Sequence, residues 1–186
     1  MKRHFYFFRH GQTDENTTGV REGLGDAAQL TEMGRKQARS LAVFLSDKKL
    51  GVIYSSPYVR AMDTAAAVAT EYSDLKIVLS DALKEGPFYF WGLENKEAKK
   101  RVDDTLARVR AFLYDVIAKT SDEHIAISSH GGITRALCFC AGQEVGLVKN
   151  CACYHFTYED GVWDFIGEFD TRIEVKNYSD RHYDKS

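Results

Sequence analysis

The chain is predicted to be an α/β protein, a three-layer αβα sandwich whose central sheet is mostly parallel. Two observations carry this expectation. Short apolar runs of strand length alternate with stretches whose apolar residues recur every three or four positions, the pattern of helices crossing over a parallel sheet. Two of the runs also end alike: residues 4–8 stop at Arg9-His10-Gly11, and residues 124–128 stop at Ser129-His130-Gly131-Gly132. Ligands of open α/β sheets bind beyond the carboxyl ends of the strands, so both histidines are expected at one edge.

Residues 14–29, behind the first strand, are rich in Thr, Gly, Asp and Glu and lack apolar periodicity; they read as a loop over the site. A helix is predicted from Leu30-Thr31 to about Asp47, capped by Thr31 and burying Ala38, Leu41, Ala42 and Leu45. Residues 51–54 form a second strand. Ser55-Ser56-Pro57 then reads as a helix start, a serine capping and the proline in the first helical position, with Arg60 and Thr64 on one face of the first turns.

Residues 76–79 are a third strand, and 82–93 are irregular and aromatic, holding Phe88, Tyr89, Phe90 and Trp91. A long amphipathic helix spans 94–119, with Val102, Leu106, Val109, Phe112, Leu113 and Val116 inward and Lys96, Lys99, Lys100 and Arg101 on a solvated face. A fourth strand (124–128), a helix (132–140) and two strands (152–157 and 162–168) joined at Glu159-Asp160-Gly161 complete the core. One domain is expected over residues 1–176, followed by a polar tail, 177–186.

The composition is that of an ordinary globular protein, 44% hydrophobic and 28% charged, and the net charge of −2 argues against general attraction to nucleic acid or membranes. The apolar run behind Lys2 and Arg3 is about five residues, short of the roughly 7 to 15 of a signal core, and nothing approaches the roughly 20 of a membrane span. A cytoplasmic location is expected. Cys138, Cys140, Cys151 and Cys153 make two C-x-C pairs, but helical residues two apart point about 200° from each other, so buried free thiols are expected rather than a metal cage.

A glycine behind an Arg-His pair suits a loop whose backbone comes close to an anion, and a phosphoryl group is the natural guest. Arg9-His10-Gly11-Gln12-Thr13 with Asn16, Leu30-Thr31-x-x-Gly34-x-x-x-Ala38, Ser55-Ser56-Pro57-x-x-Arg60-Ala61-x-x-Thr64-Ala65 and Ser129-His130-Gly131-Gly132 together resemble the histidine phosphatase superfamily, the phosphoglycerate mutase-like family, over nearly the whole chain. The resemblance implies that His10 is a nucleophile that becomes phosphorylated while Arg9, Arg60 and His130 hold the phosphoryl oxygens. Phosphoryl transfer asks for little more than an in-line nucleophile and positive charge around the equatorial oxygens. Gly131 and Gly132, at a helix start, add backbone N–H donors.

The leaving alcohol needs a proton, and Glu85 is the expected acid, with Asp81 and Asp14 as alternatives. It stands six residues before Trp91, in a stretch resembling the family's glutamate and its following tryptophan segment, although Trp91-Gly92-Leu93-Glu94 departs from the family's order. Thr13 and Asn16 resemble substrate contacts. His4, His124, His155 and His182 read as surface or satisfied core positions. The resemblance implies a histidine acid phosphatase-like phosphomonoesterase acting on small phosphorylated substrates without metal or cofactor; the charge balance gives no nucleic-acid or membrane partner, and the sequence is silent on oligomeric state. The resemblance further implies that the family's mutases carry a basic, proline-containing insertion between this acid and the long helix; the short path from Glu85 to Glu94 has no such insertion, which favours hydrolysis over mutase-type transfer. A binding module without catalysis is the remaining alternative, disfavoured by the full set Arg9, His10, Arg60 and His130.

Overall fold

Four consecutive aromatics, Phe5, Tyr6, Phe7 and Phe8, all buried, mark strand β1 (Arg3–Arg9) as the middle of the sheet. A strand covered on both faces has no solvent side, so its apolar run does not alternate. The structure is a computed structural model that describes residues 1–19, 25–89 and 94–171. Strand β4 (His124–Ser129) lies parallel to β1 on one side, and β5 (Cys153–Glu159) antiparallel on the other. Outward from β4 come β2 (Val52–Ser55) and β3 (Lys76–Leu79), both parallel, and outward from β5 comes β6 (Val162–Phe169), antiparallel. The order is β3-β2-β4-β1-β5-β6.

Helices α2 (Glu32–Leu45) and α3 (Val59–Ala69) cover one face, packing Leu41, Leu45, Ala65 and Val68 with Tyr6, Phe8 and Ile53. Helices α4 (Lys96–Lys119) and α5 (Gly131–Cys140) cover the other, where Val109, Phe112, Val116, Ile133 and Leu137 pack with Phe5, Phe7, Ile125 and Ile127. The expected αβα sandwich is therefore found. Thr31 caps α2 by accepting from Gly34 N at 2.9 Å, as its sequence position implies. All four cysteines are free thiols, three of them buried. Among the described residues no helix is long and apolar enough to cross a membrane.

Two local expectations are corrected. Within 14–29 the chain forms helix α1 (Asp14–Thr18) and a 3-10 turn (Gly25–Ala27) instead of a plain loop. Local polar bonds hold α1: Asp14 O accepts the hydroxyls of Thr17 and Thr18, and Thr13 N donates to Asn16 Oδ1. It buries nothing, so it leaves no apolar period to read. The second correction is Ser55-Ser56-Pro57, which does not start a helix. Ser55 ends β2, and α3 begins at Val59 behind Tyr58, whose side chain makes no cap. The serines hold the turn instead: Ser55 Oγ donates to Ser56 O at 2.9 Å, and Ser56 Oγ accepts from Tyr58 N at 3.3 Å. Residues 90–93, with Phe90 and Trp91, and the tail 177–186 with His182 lie outside the described residues.

Candidate active site

The carboxyl ends of β1, β2 and β4 and the segment after β3 deliver one group each to a common point. His10 follows β1, its N donating to Ser129 O at 3.0 Å, and is 2% exposed. Its Nδ1 lies 2.7 Å from Gly11 O. A carbonyl can only accept, so Nδ1 carries the proton. Arg60 Nε, which can only donate, points at His10 Nε2 from 3.3 Å. Nε2 therefore presents a lone pair. Burial, then the electrostatic influence of Arg9, His130 and Arg60, holds the His10 pKa well below 6.5, and the ring is neutral at cell pH.

Arg60, in the first turn of α3, is spread over three partners: His10, Gly25 O at 2.6 Å through Nη1, and Glu85 Oε2 at 2.9 Å through Nη2. The Tyr58 ring stacks on its guanidinium, 5.0 Å from centroid to carbon. Thr64, one turn on, donates to Arg60 O at 2.7 Å and accepts Gly11 N at 3.0 Å, which ties α3 to the loop behind β1.

His130 is the N-cap of α5 and fully buried. Its Nε2 is 2.8 Å from Ser56 Oγ, and its ring centroid 5.3 Å from that of His10. Nδ1 faces Glu85 Oε2 at 3.7 Å and has no hydrogen-bond partner among the described residues; buried Thr13 Oγ1 shares that condition. Burial pushes the His130 pKa down to about 3 against the opposing pull of Glu85. The Arg9 side chain lies across the start of α5, about 3.6 Å from where a Gly131 Cβ would stand, and donates to Val148 O at 2.8 Å. A helix N-terminus that aims unpaired amides at a point ringed by guanidinium groups favours an anion.

Glu85 sits at the mouth, its side chain 37% accessible. Desolvation raises its pKa, but His130, Arg60 and Arg9 outweigh that and leave the net value lowered, so the carboxyl is ionised in the resting site. The segment is placed by contact with α5: a Cβ on Gly132 would stand 2.2 Å from Gly86 O. Arg108 of α4 adds a bond to Lys84 O at 2.9 Å. The alternative acids do not join this group, because Asp81 is paired with Lys84 at 3.0 Å and Asp14 is exposed in α1.

Gly11 and Gly34 recur in the motifs because the loop and the start of α2 touch backbone to backbone. A Cβ on Gly34 would stand 2.1 Å from Gln12 O, while Thr31 N donates to that same carbonyl at 2.9 Å. Asn16, expected against substrate, uses its Oδ1 within the protein, accepting from Thr13 N and from Asn150 Nδ2, both at 3.1 Å. Asn150 also donates to His10 O at 3.0 Å. The sequence reading missed Asn150, a lone asparagine between a lysine and a cysteine that carries no motif.

The family model described as histidine phosphatase superfamily (branch 1) matches residues 5–105 and 90–171. Phosphoserine phosphatase 1 of Hydrogenobacter thermophilus is 31% identical over 164 residues, which span 76% of this chain and 76% of that protein. Alpha-ribazole phosphatase from Shigella flexneri shares the fold with a TM-score of 0.74 at 20% identity, covering 94% of this chain and 100% of that one. A phosphoglycerate mutase from Bacillus anthracis str. Sterne shares it at a TM-score of 0.74 and 22% identity, over 89% and 92%. With the four motifs gathered at one sheet edge and the family model matching nearly the full described length, the chain belongs to the histidine phosphatase superfamily, branch 1.

Proposed function

We propose that the protein is a metal-independent phosphomonoesterase working through a phosphohistidine on His10. The observation that carries this reading is the state of His10: a neutral ring with its proton fixed on Nδ1 and its Nε2 lone pair turned toward Arg60. Nε2 attacks phosphorus, the P–O ester bond breaks, and the alkoxide takes a proton as it leaves. Arg9, Arg60, the Nδ1 of His130 and the first amides of α5 hold the three peripheral oxygens. One arginine at about 4 Å from a phosphoryl charge contributes on the order of 4 kcal/mol at an effective dielectric of about 20, before desolvation. Water then attacks phosphorus, the P–N bond breaks, and phosphate departs.

Glu85 supplies the proton to the leaving oxygen. Its ion pair with Arg60 keeps it ionised until a bound phosphoryl group draws the guanidinium away and raises the carboxyl pKa by like-charge repulsion. Phosphate monoesters lose their second proton near pH 6, so a monoanionic substrate brings the proton that Glu85 passes on. Asn16 ties Thr13 N to Asn150, which holds His10 O, and Tyr58 packs beside Arg60 and His130.

The relative named phosphoserine phosphatase 1 supports small phosphorylated metabolites as substrates. The test is release of inorganic phosphate from phosphoserine, sugar phosphates, nucleotides, phosphoglycerates and phosphopeptides in the presence of EDTA. Release from at least one small ester is expected. Transfer between hydroxyls without net release would identify a mutase, and no turnover on any class would leave a binding module.

A further inference from the structure

At the other end of β1 from His10, three histidines on adjacent strands share one face. His4 lies near the start of β1, His124 opens β4 and His155 lies on β5; the register sets His4 beside His124 and Tyr6 beside His155. Six residues of strand at about 3.3 Å each put His4 roughly 20 Å from His10, well away from the site above.

The rings are held. Those of His4 and His124 stack at 4.4 Å with planes 3° apart, and the Tyr6 ring stacks on His155 at 4.5 Å. His4 Nδ1 is 2.9 Å from His155 Nε2, and His124 Nδ1 is 3.2 Å from the Tyr6 hydroxyl. When each Nδ1–H donates along these contacts, both rings keep an Nε2 lone pair for a ligand. Metal-binding histidines are commonly oriented in this way, their other nitrogen bonded to a protein group.

Glu123 completes a set of three. Its Oε1 is 3.8 Å from His124 Nε2, and its backbone carbonyl accepts His4 N at 2.7 Å, which fixes it beside both histidines. One donor atom from each of His4, Glu123 and His124 lies within 4.8 Å of the others. Donors about 2.1 Å from one zinc ion stand roughly 3.5 Å apart and an imidazole lone pair lies in its ring plane, so binding splays the stacked His4 and His124 rings by χ2 rotation while Glu123, 63% accessible, turns in toward them. Lys2, Lys48 and Lys49 also act on these rings, with Glu123 as countercharge. Two imidazoles and one carboxylate amid lysines select by nitrogen affinity rather than by charge, which favours late first-row ions over Mg2+ or Ca2+.

We infer that His4, His124 and Glu123 form a binding site for a late first-row divalent cation, with His155 and Tyr6 positioning the two imidazoles. The bound ion joins the starts of β1 and β4. Calorimetric titration of chelator-treated, desalted protein with Zn2+ tests it. One equivalent is expected to bind in the wild type and in His10→Asn, to weaken at least about tenfold in Glu123→Gln, and to be lost in His124→Asn. Glu123→Gln alters an exposed side chain, so unchanged circular dichroism and phosphate release separate ligand loss from misfolding. Absence of binding to the wild type overturns the assignment. So does binding that persists in Glu123→Gln and His124→Asn but disappears in His10→Asn, which would place the ion at the phosphate site.

Discussion

Arg60 Nε and His10 Nε2 face each other at 3.3 Å, a guanidinium donating to the one ring nitrogen that carries no proton. The contact does two things: it confirms the tautomer set by Gly11 O, and it holds a positive charge where an imidazolium would otherwise form. A phosphoryl group inserted between the two would exchange this contact for a P–N bond on one side and an oxygen contact on the other. His10→Ala is therefore expected to abolish phosphate release while the protein stays folded by circular dichroism. Turnover retained in that variant excludes His10 as nucleophile.

Positive charge at the site comes from side chains and helix amides, so turnover is expected to be unchanged in EDTA. Stripping the distal cation should lower the melting temperature without altering kcat. A fall in kcat that a divalent ion restores would contradict the metal-free mechanism.

Glu85→Gln should slow single-turnover phosphorylation of His10 by about 10² to 10⁴-fold for alkyl phosphates, and far less for p-nitrophenyl phosphate, whose phenolate leaves unaided. Rapid-quench measurement on both substrates reads the chemical step apart from hydrolysis of the phosphoenzyme. Equal slowing on both removes Glu85 from the acid role.

Buried His130 makes stability depend on pH. Its folded pKa, about 3, lies below the unfolded value of 6.5, so the unfolded chain binds more protons between the two. The contribution is full above about pH 6.5 and is lost as pH falls toward 3, at up to about 1.4 kcal/mol per pH unit. Urea unfolding of wild type and His130→Asn from pH 7 to pH 4 should show the wild-type advantage shrinking with acidity. A constant difference would show that His130 takes up its proton in the folded protein as readily as in the unfolded chain.

Gly132→Ala drives a methyl group into Gly86 O and should cost about 1 to 3 kcal/mol while displacing Glu85. Denaturant midpoints and alkyl-phosphate turnover should fall together. A stable, fully active Gly132→Ala protein would mean that the segment bearing Glu85 relaxes freely.

Much of this architecture is legible because its signals are local. A central strand written as four aromatics, helix periods on both covered faces and ordered motifs at strand ends locate the sheet and the converging residues His10, Arg60 and His130. What the sequence hid has physical causes. Helix α1 is held by side-chain bonds and buries nothing, so periodicity is blind to it. Ser56 looks like a helix cap, but its Oγ takes Tyr58 N ahead of the helix and meets His130, a tertiary contact with a residue 74 positions away. His4, His124 and His155 read as isolated because only strand register makes them neighbours.

The bond from Asn150 to His10 O spans 140 positions, and Arg60, Glu85 and His130 enter from three further crossovers. No early fragment of the chain holds a complete site, and closing such long loops must precede the contacts that reward them. Catalytic competence is thus expected to be the last property the chain acquires as it folds. After dilution from denaturant, phosphate release should return with the slowest refolding phase, later than the helical signal, making turnover itself a clock for completion of the sheet.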